Sequence, residues 1–323
     1  MIHDAKNGTL KPFDFGKITE HLPELKRLHC SIDFHSFKKP IDSSNVQPSF
    51  WVELANQVEK NYSNYDGFIV LHGTDTMAYT ASALSFMLEN LGKPIILTGS
   101  QLPLGAIRTD AKRNLITTVE IAASDTVVPE VCIYFNNQLF RGNRTEKYTS
   151  SKFDAFHSLN YPLLAEAGVN IQFNADAILK TKKGNTKLKV NTAFNTNVAL
   201  IKIFPGISKE VMEGTLSAKH LKAVVLETFG SGNAPTDKWF IDLLKKAISK
   251  GIIILNVSQC SGGTVEQGKY ETSIHLKEIG VISGADLTTE SALTKLMFIL
   301  GQGLTKQEVE KFLQRGLRGE MND

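Results

Sequence analysis

The sequence predicts an α/β protein of two parallel-sheet domains, a larger N-terminal one and a smaller C-terminal one. Three observations predict it. The 323 residues exceed one ordinary domain. From 67 to 120, and on into a third strand at VCIYFNN, short continuous apolar runs alternate with amphipathic segments, the pattern of right-handed βαβ crossovers. A polar Lys/Asn/Thr-rich stretch at about 173–196 interrupts the alternation, which then resumes. The expected division is therefore an N-terminal domain at 1–172, a linker at 173–196 with a hairpin turn at KKGNTK, and a C-terminal domain at 197–323.

The elements follow in order. PSFWVELANQVEKNY reads as a helix, with Pro48 near its start and an apolar face through Trp51, Leu54 and Val58. GFIVL is a strand, TMAYTASALSFMLENL a helix, KPIILTG a strand, DAKRNLITTVEIAA a helix and VCIYFNN a third strand. After the polar stretch come strand NVALIKIFPG, a helix near SKEVMEGTL, strand KAVVLETFG and helix DKWFIDLLKKAISK. Strand GIIILNVSQC and helix TTESALTKLMFILGQ complete the second domain.

Composition excludes several classes. The formal charge is +3, and no clustered basic stripe marks a nucleic-acid surface. The densest basic stretch, KTKKGNTKLK at 180–189, reads as a solvated hairpin. Cys30, Cys132 and Cys260 are an odd set with no C-x-x-C pair, which argues against a disulfide framework or zinc site and for a reducing cytoplasm. MIHDAKNGTLKPF lacks the apolar core of a signal peptide, and no apolar run reaches membrane-spanning length. No G-x-G-x-x-G or Walker loop follows a strand, which disfavours a nucleotide-binding protein.

Ligands of open parallel sheets bind beyond the carboxyl ends of the strands. Those ends here carry HGTDT, TGSQLPLG, NNQLFRGNRTEK, ETFGSGNAP and VSQCSGG, groups suited to a small zwitterion. Thr74, Asp75 and Thr76 follow one strand, and a single such residue serves as an ordinary helix N-cap. One cap needs one residue, whereas this turn offers three, beside a Gly73 that allows close backbone approach. Lys147, in RGNRTEK, is the natural partner. A threonine hydroxyl is a weak nucleophile and needs a neutral amine or similar base to take its proton. Asp75 is placed to pair with a substrate ammonium. In IDSSNV, Ser43 and Ser44 read equally as an N-cap or as hydroxyls aimed at a carboxylate.

DGFIVLHGTDTMAYT at 66–80 closely resembles the second signature of bacterial L-asparaginases. SALSFMLENLGKPIILTGSQLPL, FNNQLFRGNRTEK, FGSGNAP and GVISGADLTTE resemble the cytoplasmic type I branch, and the resemblance covers essentially the whole chain. It implies the two-domain asparaginase/glutaminase-like fold, a homodimer or homotetramer, and hydrolysis of L-asparagine to L-aspartate and ammonia without metal or cofactor. It implies that Thr74, Asp75 and Lys147 are catalytic. Asp42, Ser43 and Ser44 match the segment gripping the substrate α-carboxylate, and Asp75 the contact to its α-amino group. Asn233 and Glu290 resemble positions lent by a neighbouring subunit.

The chain departs from the family pattern in three places. The first signature, an apolar strand followed by T-G-G-T-I-G-M, carries the proposed nucleophilic threonine; here Met1 matches its last residue. The expectation is a misplaced start or a truncation. Removal of that strand leaves unpaired backbone on its neighbours, so residues 1–323 are expected to be inactive and poorly folded and an extended chain active. The alternative is a catalytically inactive amino-acid-binding homologue. A third reading, the amidase subunit that feeds ammonia to a transfer-RNA amidotransferase, requires an additional N-terminal domain. A tyrosine of the loop after the first signature also has no match near Asn7–Leu10. Glu227 stands where regulated relatives carry an arginine, near the position of Cys260, which leaves allosteric control open.

Overall fold

The computed structural model describes residues 2–3, 10–11, 22–37, 40–180, 187–268 and 271–322. It divides into two compact units, Met1–Val190 and Asn191–Asp323.

The first unit contains α1 (Pro48–Asn61), β1 (Phe68–Leu71), α2 (Met77–Met87), β2 (Ile95–Thr98), α3 (Ala111–Ala122) and β3 (Val131–Phe135). It continues through β4 (Gln138–Arg141), β5 (Ala165–Ala167) and β6 (Ile171–Phe173). One sheet holds all six strands in the order β6-β5-β4-β3-β2-β1. Strands β1, β2 and β3 are parallel, with Phe68 opposite Ile95 and Ile95 opposite Val131. These are the strands predicted from alternation.

The other half of this sheet is antiparallel, so the sheet is mixed and not wholly parallel as expected. The reversal is local. Asn136 and Asn137 take φ of 45° and 71°, the paired left-handed conformation of a two-residue hairpin turn whose twist matches the strands it joins. The stretch NNQLFRGNRTEK, expected to be a loop, therefore opens with a turn and a buried strand. Arg141 tolerates burial there because Nε donates to Glu130 Oε2 at 2.6 Å and Nη2 to the Ala177 carbonyl at 2.8 Å. Helix α2 packs on β3 and on the Gly142–Arg144 turn. A Cβ on Gly142 would lie 2.8 Å from the Ala81 Cβ, so glycine is what permits that approach.

The second unit contains β7 (Val198–Lys202), α4 (Lys209–Leu216), β8 (Ala223–Thr228), α5 (Lys238–Ser249) and β9 (Ile253–Ser258). Then come α6 (Glu271–Glu278), β10 (Ile282–Ser283), α7 (Thr289–Gly301) and α8 (Lys306–Leu313). Its sheet, β7-β8-β9-β10, is parallel throughout, as predicted. Met212, Phe240 and Leu244 of α4 and α5 pack with Val224, Leu226 and Ile254 of the strands. Helix α7 packs on β7, β8 and β9. Burial on both faces is what makes β8 and β9 read as unbroken apolar runs, whereas the edge strand β7 leaves Leu200 exposed.

Between the sheets, Phe173 ends β6, and Lys189–Val190 pairs antiparallel with Leu88–Glu89. The turn expected at KKGNTK spans 182–187, of which 182–186 lie outside the described residues.

Candidate active site

Strand β1 ends at Leu71 and the chain passes through His72-Gly73 into Thr74-Asp75-Thr76 before α2 begins. The helix-capping reading of this trio does not hold. Thr76, at the N-cap position, makes no side-chain cap bond; its hydroxyl donates to the Ser43 carbonyl at 2.7 Å. Lys147 reaches the other two. Its Nζ donates to Thr74 Oγ1 at 2.7 Å and to Asp75 Oδ1 at 2.6 Å. The lysine side chain is 15% exposed and the aspartate 64%, so the ammonium is largely enclosed while the carboxylate opens to solvent.

Lys147 belongs to a short ladder in which Glu146–Lys147 pairs with Phe156–His157. Buried Phe156 packs on Phe135 of β3. Glu146 meets His157 Nε2 at 2.7 Å, and the Tyr148 ring stacks on His157 at 4.4 Å.

Asp42 accepts the Ser44 N–H at 2.9 Å and the Ser44 hydroxyl at 2.8 Å, and these bonds hold its carboxyl below the usual range. Capping of this 3-10 turn thus falls to Asp42, not to the serines. Ser43 is 5% exposed, and a Cβ on Gly73 would lie 2.6 Å from its Oγ. Glycine at 73 is therefore a condition of bringing the two loops together. Ser43 thus meets the 73–76 turn through Gly73 and Thr76, Lys147 meets Thr74 and Asp75 of the same turn, and Asp42 and Ser44 bond each other.

Asn233 and Glu290 lie in the second unit. Asn233 closes a tight turn, its N–H on the Phe229 carbonyl at 2.8 Å, and Glu290 sits in the first turn of α7. Glu227, also in that unit, is buried, accepts the Thr289 hydroxyl and lies 3.3 Å from Lys202 Nζ.

Three residues of the first unit were not singled out from the sequence. Gln101 Oε1 accepts the Thr74 hydroxyl at 3.3 Å, and Gln101 Nε2 donates to the Lys152 carbonyl at 2.9 Å. Asp110 holds the Gln101 loop, accepting the Gln101 N–H at 2.9 Å and the Leu102 N–H at 3.0 Å. Asp110 stands where a cap for α3 belongs but makes no cap bond. The available signal was TGSQLPLG, a polar loop at the end of a parallel strand.

His72 is the third. The Trp51 indole N–H can only donate, here to Thr80 Oγ1 at 3.1 Å. The Gly73 carbonyl, 2.6 Å from His72 Nδ1, can only accept, so the neutral ring carries its proton there and Nε2 takes the Thr80 hydroxyl proton at 2.9 Å. Burial lowers the His72 pKa from the ordinary 6.5. Above that value the folded and unfolded chains are both neutral at this ring and stability is full. As pH falls through it, the unfolded chain takes a proton that the folded one refuses, and stability drops. Urea midpoints measured between about pH 7.5 and 5 should fall more steeply for the unaltered chain than for His72→Gln; equal slopes would remove His72 as the cause.

The family model described as "Asparaginase, N-terminal" matches residues 1–179, and "Glutaminase/Asparaginase C-terminal domain" matches residues 197–313. The chain belongs to the asparaginase family. This asparaginase-family chain is 43% identical over 302 residues to L-asparaginase 1 of Escherichia coli (strain K12), covering 93% of this chain and 87% of that one. The crystal structure of L-asparaginase I from Vibrio cholerae O1 biovar eltor str. N16961 matches with a TM-score of 0.92 at 42% identity, covering 99% of this chain and 96% of that one. The thermostable L-asparaginase from Thermococcus kodakarensis matches with a TM-score of 0.89 at 30% identity, over 98% and 94% of the two chains. The resemblance read from the motifs and the two-domain α/β architecture are borne out. Among the described residues of this asparaginase-family chain, no helix is long and apolar enough to cross a membrane.

Proposed function

We propose that this protein hydrolyses L-asparagine to L-aspartate and ammonia in the cytoplasm. The observation that carries the reading is the Lys147 ammonium shared between Thr74 Oγ1 and Asp75 Oδ1. In this reading the open carboxylate of Asp75 takes the substrate α-ammonium, and the Asp42–Ser44 turn takes the α-carboxylate. Attack by a threonine hydroxyl on the side-chain amide carbon gives a tetrahedral oxyanion; its collapse breaks the C–N bond, the leaving nitrogen takes up a proton and departs as ammonia, and water then attacks the acyl-threonine ester to release L-aspartate and restore the hydroxyl. The Thr74–Lys147 pair carries protons to and from the reacting centre. Asn233 and Glu290 complete the site from a neighbouring copy of a homodimer or homotetramer.

The motif T-G-G-T-I-G of the first family signature is not spelled in residues 1–323. The reading assigns attack to the second threonine of that motif. Residues 1–323 are compared with the same chain preceded by an apolar strand and TGGTIG, and the activity variants are made in whichever form turns over L-asparagine. Ammonia release by the preceded form alone supports the assignment; equal release by both forms removes it. Binding of L-asparagine without ammonia release from either form leaves an amino-acid-binding homologue. Thr74→Val is expected to lower kcat by about 100-fold or more, within the range for a positioned acid–base group; near-normal turnover takes Thr74 out of the mechanism.

A further inference from the structure

We propose that Gln101 is a positioning residue of this site, one that aims the Thr74 hydroxyl and commits it to passing protons. The inference rests on the function proposed above. Its basis is a chain of bonds whose directions are all determined. An ammonium has protons to give and no lone pair, so Lys147 donates to Thr74 Oγ1. The single proton of the hydroxyl must then leave in another direction, and Gln101 Oε1 receives it at 3.3 Å. The amide of Gln101 cannot be turned over without loss. Its Nε2 faces the Lys152 carbonyl at 2.9 Å, and a carbonyl only accepts.

The main chain beneath is equally constrained. Asp110 is almost wholly buried, and its carboxylate takes the N–H groups of Gln101 and Leu102 and the Asn114 side-chain amide at 3.2 Å. Gln101 therefore stands on a fixed base and joins Thr74 to the loop that follows Lys147.

A carbonyl oxygen held at this place stabilises Thr74 as a hydroxyl and opposes it as an alkoxide, because the alkoxide would face a like partial charge. Transfer is then balanced as a relay: the Lys147 ammonium gives a proton to Thr74 Oγ1 while the hydroxyl proton swings from Gln101 Oε1 to the leaving nitrogen, and the amine so left on Lys147 takes a proton back by the same path when water attacks. No proton is gained or lost at Thr74. Loss of the acceptor frees the rotor and should slow the proton step without loosening substrate.

Gln101→Met keeps the length of the side chain and removes both polar atoms. It is expected to lower kcat about tenfold, KM staying within about twofold. Combined with Thr74→Val it should cost nothing further, because the hydroxyl it aims is gone; a merely structural effect would multiply with the Thr74→Val loss. Costs that multiply, or an unchanged kcat, overturn the inference. A second measurement does not depend on turnover. The side-chain amide resonances of Gln101 in isotopically labelled protein should shift in Thr74→Val. Absence of ammonia release by the unaltered protein in both forms is a failure of the proposed function alone, and the amide resonances then decide for or against Gln101.

Discussion

Lys147→Met is expected to lower kcat for L-asparagine by about 10²–10⁴-fold, the usual span for removal of a positioned acid–base group. Methionine fills a similar volume and neither carries a charge nor offers a donor. The largely enclosed position of Lys147 therefore stays packed, and the loss is one of chemistry. Two bonds vanish together, 2.7 Å to Thr74 Oγ1 and 2.6 Å to Asp75 Oδ1. The first is the proposed proton path. In the proposed function the second is a competitor for the substrate ammonium, which Asp75 would meet while still bonded to Lys147. KM should consequently stay level or fall while kcat collapses, the signature of an interaction used in the transition state and not in binding. Steady-state ammonia release checks the first quantity and L-aspartate inhibition the second. A loss under about tenfold would assign Lys147 to structure.

Lys295→Met should destabilise the second unit by about 3–5 kcal/mol, the cost of leaving a buried charge unpaired. Lys295 in α7 and Glu320 in the C-terminal segment are both 0% exposed, with Nζ 2.7 Å from Oε1. Each is further satisfied. Nζ donates to the Arg315 carbonyl at 2.7 Å and approaches Met321 Sδ at 3.2 Å. Glu320 accepts the N–H groups of Leu317 at 2.9 Å and Arg318 at 2.7 Å. The pair thus ties residues 313–321 to α7, and removal of the lysine strands the carboxylate. With a denaturant slope of about 2 kcal/mol per molar, the urea midpoint falls by about 1.5–2.5 M, a large part of a total stability of about 5–15 kcal/mol. The double variant Lys295→Met/Glu320→Gln removes the unpaired charge and should recover most of the loss. Equal midpoints for single and double variants would mean that the carboxylate was never stranded.

Legibility of the fold followed the range of the interaction that forms each element. Strands β2, β3, β8 and β9 were readable because burial on both faces demands unbroken apolar runs, and the edge strands β1 and β7 because their runs stay apolar although Leu71 and Leu200 are exposed. Strand β4 was hidden. Its sequence, QLFR, begins and ends in polar residues, and Arg141 is acceptable inside only because Glu130 is waiting across the hairpin. The Asn136–Asn137 turn was a visible signal, yet asparagines at a strand end serve a ligand loop equally well. Strands β5 and β6 are three residues each, too short for any period to show.

The site divides in the same way. Thr74, Asp75 and Lys147 were chosen from the sequence and meet in the structure. Gln101 was passed over because its role depends on Asp110, nine positions later and masked as a helix cap. His72 was passed over because a histidine in a loop carries no mark of whether its ring is turned inward to Thr80.

By itself, then, the sequence determined the family, the alternation of strands and helices, and which strand end bears a turn richer in hydroxyls than any cap requires. Only the tertiary structure decided what those hydroxyls face. Thr74 and Lys147 are separated by 73 positions, and the pairing of β1 through β4 carries the chain from one to the other. Local propensity acts over a few residues, whereas the 2.7 Å between those two side chains depends on the register of the whole sheet.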